Sequence, residues 1–200
     1  MLAADKNAEY ALRGLLKNPR RLGVREIQSM VFVHPKRDPG VLRQCHEFLR
    51  SQLRRVDYAL VVFDCEGCGR ADGREAIEGE VEIRLAQNGW AGRCAAVAID
   101  PELEAWVWGE YGEVAASLAW TDFHEGLRAW LVQSGYLEGD RHKPARPKEA
   151  FEAVLYQLRR PRSSSLYYEL ASRLSFEQCL DRAFLKVRRT LAEWFPAEQR

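Results

Sequence analysis

The sequence predicts an α/β protein: a mostly parallel, four-stranded sheet flanked by helices, with a C-terminal helical extension. Two observations carry this prediction. Buried-strand runs alternate with amphipathic helical segments in the first part of the chain, and every later segment has helical spacing. We therefore expect an α/β domain over residues 1–120 and a helical extension, packed on that domain, over residues 121–200.

The strands are predicted from short apolar runs. They are Leu2–Ala4, Ile27–Val33, Tyr58–Phe63 and Cys94–Ile99. The first run is very short, since a strand usually has about five residues and only four residues precede Asp5. We expect either a frayed first strand or a start codon that lies further upstream.

The helices are predicted from apolar residues spaced three and four apart. They are Ala8–Leu16, Val41–Leu53 and Glu75–Leu85 in the first part, and Phe123–Gln133, Lys148–Leu158, Ser164–Leu174 and Arg182–Phe195 in the extension. Residues 34–40 read as a turn. Asp100 and Pro101 predict another helix start, because aspartate is a good N-cap and proline suits the first helical position.

Composition excludes several classes of protein. No apolar run approaches the roughly 18 residues of a membrane span, and there is no signal peptide, so we expect a cytoplasmic protein with no membrane partner. The glycine-rich signatures of dinucleotide-binding domains, P-loop ATPases and serine hydrolases do not occur. Residues 141–200 carry 13 basic and 7 acidic side chains, which suits a polyanionic partner or simply solvated helix faces.

Five cysteines are an odd count in a chain without an export signal, so reduced thiols are expected. Cys65 and Cys68 have the spacing of a zinc-binding pair, but a closed zinc site needs two more ligands and no second pair exists. We expect these cysteines to serve burial or turn geometry.

Three acidic runs carry most of the functional information. Asp5 and Glu9, Asp64 and Glu66, and Asp100 to Glu104 each follow a predicted strand. The carboxyl ends of parallel strands meet at one edge of a sheet, which is where open α/β sheets bind ligands. Clustered carboxylates repel one another unless protons or a hard cation neutralise them. The sequence therefore indicates a site for a divalent metal ion at this edge.

Each run also has a structural explanation. Asp64 and Glu66 are two apart in a predicted extended stretch, so they would project to the same side, but both could simply be solvated loop residues. Asp5 and Asp100 could be helix caps, since the helix dipole favours negative charge at a helix start. The coincidence of three such runs on three predicted strands favours the metal site.

A short basic turn follows the remaining strand. Lys36 and Arg37 could contact phosphates there, and His34 could act as a base. The alternative is an exposed turn without a functional role.

The acidic runs resemble motifs of the Toprim family of primases, topoisomerases and OLD nucleases. Pro101–Trp106 (PELEAW) resembles a motif of small members of the nuclease branch. The segment Asp64-Cys-Glu66-Gly67 is similar to the family's D-x-D-G, and Asp5 and Glu9 keep the spacing of its E-G-x-x-E. Over its full length the chain is similar to an uncharacterised group of proteins from bacterial methylation-associated defence systems.

The resemblance implies a Toprim-like, Rossmann-like nuclease that cleaves DNA with Mg²⁺ or Mn²⁺ in an anti-phage defence complex. One ion would be held by Asp5, Asp64 and Glu66, and a second by Glu9 with Asp100 or Glu104. The implied catalytic residues are Glu9, Asp64, Glu66 and Lys148, with Lys148, Arg162 and Lys186 as alternatives for an assisting cation. Lys36, Arg37 and Arg162 would contact the nucleic acid.

Two other functions remain open at this stage. The chain could be a catalytically inactive, Toprim-like adaptor in the same defence complex, since aspartate at position 5 and glutamate at position 66 depart from the family pattern. It could also be a phosphohydrolase of small phosphates. In either defence role, an ATP-driven step would require a partner such as an ATPase from the same operon.

Overall fold

The computed structural model describes residues 1–121, 126–175 and 179–197. These residues contain a four-stranded, all-parallel sheet with helices on both faces, which confirms the predicted α/β class. The strands are β1 (Leu2–Ala3), β2 (Phe32–Val33), β3 (Ala59–Asp64) and β4 (Cys94–Ile99), in the order β2-β1-β3-β4.

The strands differ in length, and the prediction for β2 is wrong at its beginning. Leu2 and Ala3 of β1 pair with Phe32 and Val33 of β2, and the rest of the predicted strand has no partner in β1. An edge strand can only be as long as the neighbour that pairs with it, which explains the difference. The strand predicted over Cys94–Ile99 is confirmed, and it pairs along its whole length with β3.

The helices agree with the prediction within a few residues, except for the fourth, Tyr111–Leu118, which was not predicted. They are α1 (Lys6–Leu16), α2 (Arg37–Leu49), α3 (Arg74–Leu85), α4 (Tyr111–Leu118), α5 (Leu127–Gln133), α6 (Pro147–Gln157), α7 (Ser164–Arg173) and α8 (Arg182–Trp194). Helix α2 begins inside the predicted turn, since Pro39 occupies its first helical turn, where a missing N–H group costs nothing. Residues 123–125 of the predicted helix Phe123–Gln133 lie outside the described residues.

The sheet separates two apolar cores. On one face, α2 and α3 pack against side chains such as Val61 and Phe63. On the other face, α1 and helices α4 to α8 pack against the alternate side chains of the same strands, including Leu60 and Val62. The alternation follows from the two-residue period of a strand. The C-terminal helices therefore supply most of the second layer of the fold.

Close contacts join these helices to the preceding elements. The indole N–H groups of Trp106 and Trp108 donate to Asp181 Oδ1 at 3.1 Å and to the Pro147 carbonyl at 3.0 Å. Gly14 lets α1 approach α7 closely, because a Cβ atom there would lie 2.5 Å from the Tyr168 carbonyl oxygen. A domain boundary at residue 120 stays a prediction.

The strand order creates a crevice between β1 and β3. From β1 the chain passes through α1 to β2 on one side, whereas from β3 it passes through α3 to β4 on the other. Helices α1 and α3 consequently lie on opposite faces of the sheet. Such a switch point, at the carboxyl ends of the strands, is where α/β folds bind ligands.

No helix in the described segments is both long enough and apolar enough to cross a bilayer.

Candidate functional site

Two predicted site residues lie on either side of the crevice. Asp5 follows β1 after one intervening residue, and Asp64 is the last residue of β3. Because β1 and β3 are paired and parallel, both residues lie at the same edge of the sheet. Their charges interact, since the charge of Asp5 contributes to raising the pKa of Asp64.

Asp64 is at the centre of the acidic cluster. The pKa of its half-buried carboxyl group is raised well above the usual range, first by burial and then by the charges of Asp38 and Glu104. The charge of Asp5 also raises this pKa, whereas a hydrogen bond from the Leu103 backbone N–H lowers it. Four carboxylates thus repel one another here, and a proton or a cation would relieve that repulsion.

Asp38 belongs to this cluster although the sequence analysis did not select it as a ligand. Its Oδ1 atom accepts a hydrogen bond from the Asp64 backbone N–H at 2.8 Å. Burial raises its pKa, and the charge of Asp5 adds to this effect. A Cβ atom at Gly67 would lie 2.5 Å from Asp38 Oδ2, so glycine is required for this close approach.

The two acidic residues around the start of α1 have different surroundings. Asp5 caps the helix, since its Oδ1 atom accepts from the Ala8 backbone N–H at 2.8 Å. Glu9 is buried and accepts from Lys6 Nζ at 2.6 Å and from Arg13 Nε at 3.0 Å. Burial alone would raise the pKa of Glu9, but these two cations outweigh it and lower the pKa. Glu9 therefore already has its compensating charge within α1.

The segment after β4 differs from the predicted helix start. The Asp100–Pro101 peptide is cis, and a short 3₁₀ helix begins only at Leu103, so Asp100 is not a helix cap. Asp100 is exposed, whereas Glu104 is buried. The two residues predicted to share a helical face are consequently separated, and Glu102 takes the place next to Glu104.

Glu104 connects the cluster to the C-terminal helices. Its Oε1 atom accepts hydrogen bonds from Arg162 Nη2 and from the hydroxyl of Tyr167. Arg162 Nε in turn donates to the Tyr167 oxygen at 2.6 Å. Burial and the charge of Glu104 raise the pKa of Tyr167, so the phenol remains protonated and acts as a donor. Glu104 is thus already satisfied by one cation and one hydroxyl.

Glu102 is the second acidic residue that the sequence analysis did not select. Its Oε1 atom accepts from the Lys148 backbone N–H at 3.0 Å, and Lys148 Nζ lies 3.9 Å from its other oxygen. Burial raises its pKa, and the charges of Glu104 and Glu66 add to this. Glu102 has an extended backbone and directly precedes the 3₁₀ helix that contains Glu104.

Glu66 does not occupy the predicted extended stretch. Strand β3 ends at Asp64, and Glu66 begins a 3₁₀ turn that ends at Cys68. Glu66 is exposed, and its charge contributes to raising the pKa of Glu102. The prediction that Asp64 and Glu66 project together because of strand alternation is therefore wrong.

The basic turn after β2 is only partly as predicted. Lys36 and Arg37 are exposed, so they are accessible to a phosphate. His34 is buried, and its Nδ1 atom accepts from the Lys36 backbone N–H at 3.1 Å. Burial and the charge of Lys36 lower the pKa of His34. His34 is thus a neutral residue that stabilises the turn.

The structure separates the three candidate cations of the extension. Lys148 and Arg162 contact the cluster through Glu102 and Glu104. Lys186 instead lies 3.1 Å from Glu78 Oε2, on α3. The alternatives that the sequence analysis left open are thereby reduced to Lys148 and Arg162 as neighbours of the acidic residues.

The cysteines all have free thiols, as expected. Burial and nearby carboxylates raise the pKa of Cys65 and of Cys68 to about 12, so neither is a thiolate near neutral pH. The Cys68 thiol donates to the Asp64 carbonyl oxygen at 3.1 Å. This contact supports the expectation that the pair serves turn geometry.

The cluster offers oxygen ligands, which suit a hard cation such as Mg²⁺ or Mn²⁺. Within the described ranges, no three His, Cys, Asp or Glu side chains are arranged closely enough to hold an ion together. Magnesium, however, is usually held by only one or two carboxylates, and several waters complete its coordination. Asp64 and the neighbouring Asp38 meet this smaller requirement, and the raised pKa of each reflects a place where positive charge would be stabilising.

The chain was compared with protein-family models, with curated proteins and with solved structures, and none of the three comparisons found a match.

Proposed function

We propose that the chain is a Toprim-like, metal-dependent nuclease that hydrolyses phosphodiester bonds of DNA, with Mg²⁺ or Mn²⁺, in a bacterial anti-phage defence complex. The observation that carries the proposal is the position of Asp64. It lies at the switch point of the sheet, and the charges of Asp38, Glu104 and Asp5 all raise its pKa. Natural proteins accept such repulsion mainly where function requires it.

The proposal assigns the metal to Asp64 first, with Asp38 and Asp5 as its neighbours. A bound ion would polarise a phosphoryl oxygen and generate a nucleophilic hydroxide from water at neutral pH. Asp64 and Asp38 would position the ion, and their raised pKa values would fall once it binds. Glu66 follows Asp64 by two residues and is exposed, so the proposal keeps it as a further ligand.

The chain also supplies positive charge for the phosphate. The side chain of Lys148 is 44% exposed and only 3.9 Å from Glu102, so its ammonium group can reach both the acidic cluster and a ligand. Arg162 is tied to Glu104, Glu152 and Tyr167, which fits a positioning role. We assign Lys148 to the phosphate and Arg162 to the fixed orientation of Glu104.

A second candidate function is the catalytically inactive adaptor. Two observations favour it: Glu9 is neutralised by Lys6 and Arg13, and Glu104 by Arg162. Two of the six carboxylates that the family resemblance assigns to metal are therefore already compensated within the fold. An adaptor would retain its role in defence without any cleavage of DNA.

Cleavage of DNA separates these two functions. Purified protein is incubated with supercoiled plasmid and with single-stranded DNA, with Mg²⁺ or Mn²⁺ in turn. The nuclease should nick the plasmid, and the double variant Asp64→Ala/Glu66→Ala should be at least about a hundredfold slower, because it lacks the proposed metal ligands. Asp100→Ala is the matched control, since Asp100 is exposed and lies outside the cluster; it should cleave normally.

Equal cleavage by the wild type and the double variant would overturn the nuclease. An inactive wild type, together with full phage defence by the double variant in its native operon, would establish the adaptor instead.

A further inference from the structure

A basic groove lies beside α8 and includes Lys186, the cation of the extension that does not contact the acidic cluster. We name it the α8 groove; it is a cavity of about 920 Å³ between the 3₁₀ turn Pro19–Leu22, helix α3 and helix α8. Seven cationic and three anionic side chains line it, and six of the seven cations are arginines. Arginine is suited to phosphate, because its planar guanidinium group can donate two parallel hydrogen bonds.

The anionic side chains of the groove are largely compensated within the fold. Glu78 is buried and accepts from Arg74 Nη1, from Lys186 Nζ and from the Ala98 backbone N–H. Glu82 accepts from Lys186 Nζ at 2.7 Å. The third anion, Glu75, is exposed and lies 2.8 Å from Arg74 and 4.0 Å from Arg182, so each acidic side chain of the groove has a cationic neighbour.

Several cations of the groove remain available. Among the described residues, Arg20 and Arg188 form no ion pair. Arg189 is 72% exposed and has only a 3.8 Å contact with Glu193 on its own helix. Arg21 is fixed by hydrogen bonds to main-chain carbonyls, including that of Arg173 at 2.9 Å, so no carboxylate neutralises it. Exposed ion pairs of the Arg189 kind contribute little, and they exchange readily for a phosphate.

The groove adjoins a cavity of mixed charge at one end and a basic cavity at the other. Arg74 and Arg182 also line the adjoining cavity, which extends to Asp100 at the carboxyl edge of the sheet. At the other end, Arg20 and Arg21 line a further cavity together with Lys17 and Arg25. Helix α8 alone has 13 residues, or about 20 Å of length, along which several phosphates of a nucleic acid could lie.

The chemistry of the groove favours nucleic acid over a protein partner. Protein interfaces usually have an apolar core with aromatic residues. No large exposed hydrophobic side chain lines the α8 groove within the described part of the chain. Of its apolar members, Leu22 is buried, and Leu185 and Ala192 are half-buried.

We propose that the α8 groove binds the phosphate backbone of duplex DNA, through Arg20, Arg188 and Arg189, and leads it toward the carboxyl edge of the sheet. The inference deepens and rests on the proposed function, because DNA is the substrate named there. The residues that it assigns differ from Lys36 and Arg37, which lie at the start of α2.

Binding without cleavage tests this inference. The anisotropy of a fluorescein-labelled duplex of about 30 base pairs is measured in EDTA, at several salt concentrations. Arg20→Gln/Arg189→Gln should weaken binding about tenfold and reduce the slope of log Kd against log salt by about two, one for each lost phosphate contact. Arg50→Gln/Arg54→Gln removes the same charge from exposed positions outside the groove and should bind like the wild type.

Three results would overturn the inference: a wild type that does not bind the duplex, a groove variant that binds like the control variant, or poly-glutamate that competes as well as unlabelled DNA. Far-UV circular dichroism verifies that the variants are folded. Binding through the groove without cleavage in Mg²⁺ or Mn²⁺ would leave this inference intact and would contradict the nuclease. The two proposals can therefore fail separately.

Discussion

Replacement of Glu104 by alanine is expected to destabilise the fold by about 3 kcal/mol, or roughly 6–12 °C in melting temperature. Glu104 is 1% exposed and accepts from both Arg162 and Tyr167. Without it, the buried hydroxyl of Tyr167 loses its acceptor and Arg162 loses its buried counter-ion. Arg162 can still pair with Glu152, which places the expected cost at the lower end for a broken buried pair.

Chemical denaturation of three variants checks this expectation. Glu104→Gln retains an acceptor oxygen for Tyr167 and should lose roughly half as much stability as the alanine variant. Glu152→Ala removes the exposed partner of the same arginine, so it should cost less than about 1 kcal/mol. If Glu104→Ala is as stable as Glu152→Ala, Glu104 does not tie the C-terminal helices to the cluster.

The second large effect concerns Asp64 and pH. Its raised pKa means that the folded chain binds this proton more tightly than the unfolded chain does. The stability that this proton contributes is therefore present at low pH, and it is lost as the pH rises from the ordinary aspartate range through the raised folded-state pKa. Asp64→Asn removes the charge but keeps an acceptor for the Leu103 N–H, so without metal it should be more stable than the wild type by about 1 kcal/mol or more near pH 8.

Urea unfolding in a chelating buffer, over a series of pH values, measures this difference. The free energy of unfolding of Asp64→Asn should increasingly exceed that of the wild type as the pH rises, because Asp64 of the wild type then loses its proton while buried beside the charges of Asp38, Glu104 and Asp5. Asp100→Asn, at the exposed end of the neighbouring strand, is the matched control for loss of one carboxylate. If the difference in free energy of unfolding between Asp64→Asn and the wild type does not change with pH, the electrostatic description of the cluster is contradicted.

The fold could be predicted largely because its two long strands are continuous apolar runs, interrupted only by Asp64 at the end of β3. Such runs are typical of strands that are buried on both faces. The two short strands gave a weaker signal, since β1 and β2 owe their existence to pairing with each other and with β3 rather than to local sequence. The position at which β2 begins therefore depended on a partner that lies about 30 residues away in the chain.

The site could be predicted only in part. The positions of Asp5 and Asp64 in the site could be predicted, because each residue follows an apolar run that marks the end of a strand. The position of Asp38 could not be predicted, because its contact with the Asp64 backbone joins residues that are 26 apart in the chain. The position of Glu102 could not be predicted either. The Asp100–Pro101 peptide is cis and the 3₁₀ helix begins only at Leu103, so Glu102 rather than Asp100 lies near Glu104.

The sequence around Glu9 contains a pattern from which its ion pairs could have been predicted. Lys6 and Arg13 lie three residues before it and four residues after it, which is the spacing of ion pairs along one helix face. Two basic neighbours at these positions indicate a carboxylate that is already compensated. The same reasoning did not apply to Glu104, whose partners Arg162 and Tyr167 come from a distant part of the chain.

Calorimetric titration of the metal-free protein with Mn²⁺ tests the central claim most directly, namely that the cluster around Asp64 is a divalent-cation site. Wild type and Asp100→Asn are predicted to bind Mn²⁺ with the same affinity, and Asp64→Asn is predicted to lose this binding. Equal binding by wild type and Asp64→Asn, or the absence of binding to the wild type, would contradict the claim.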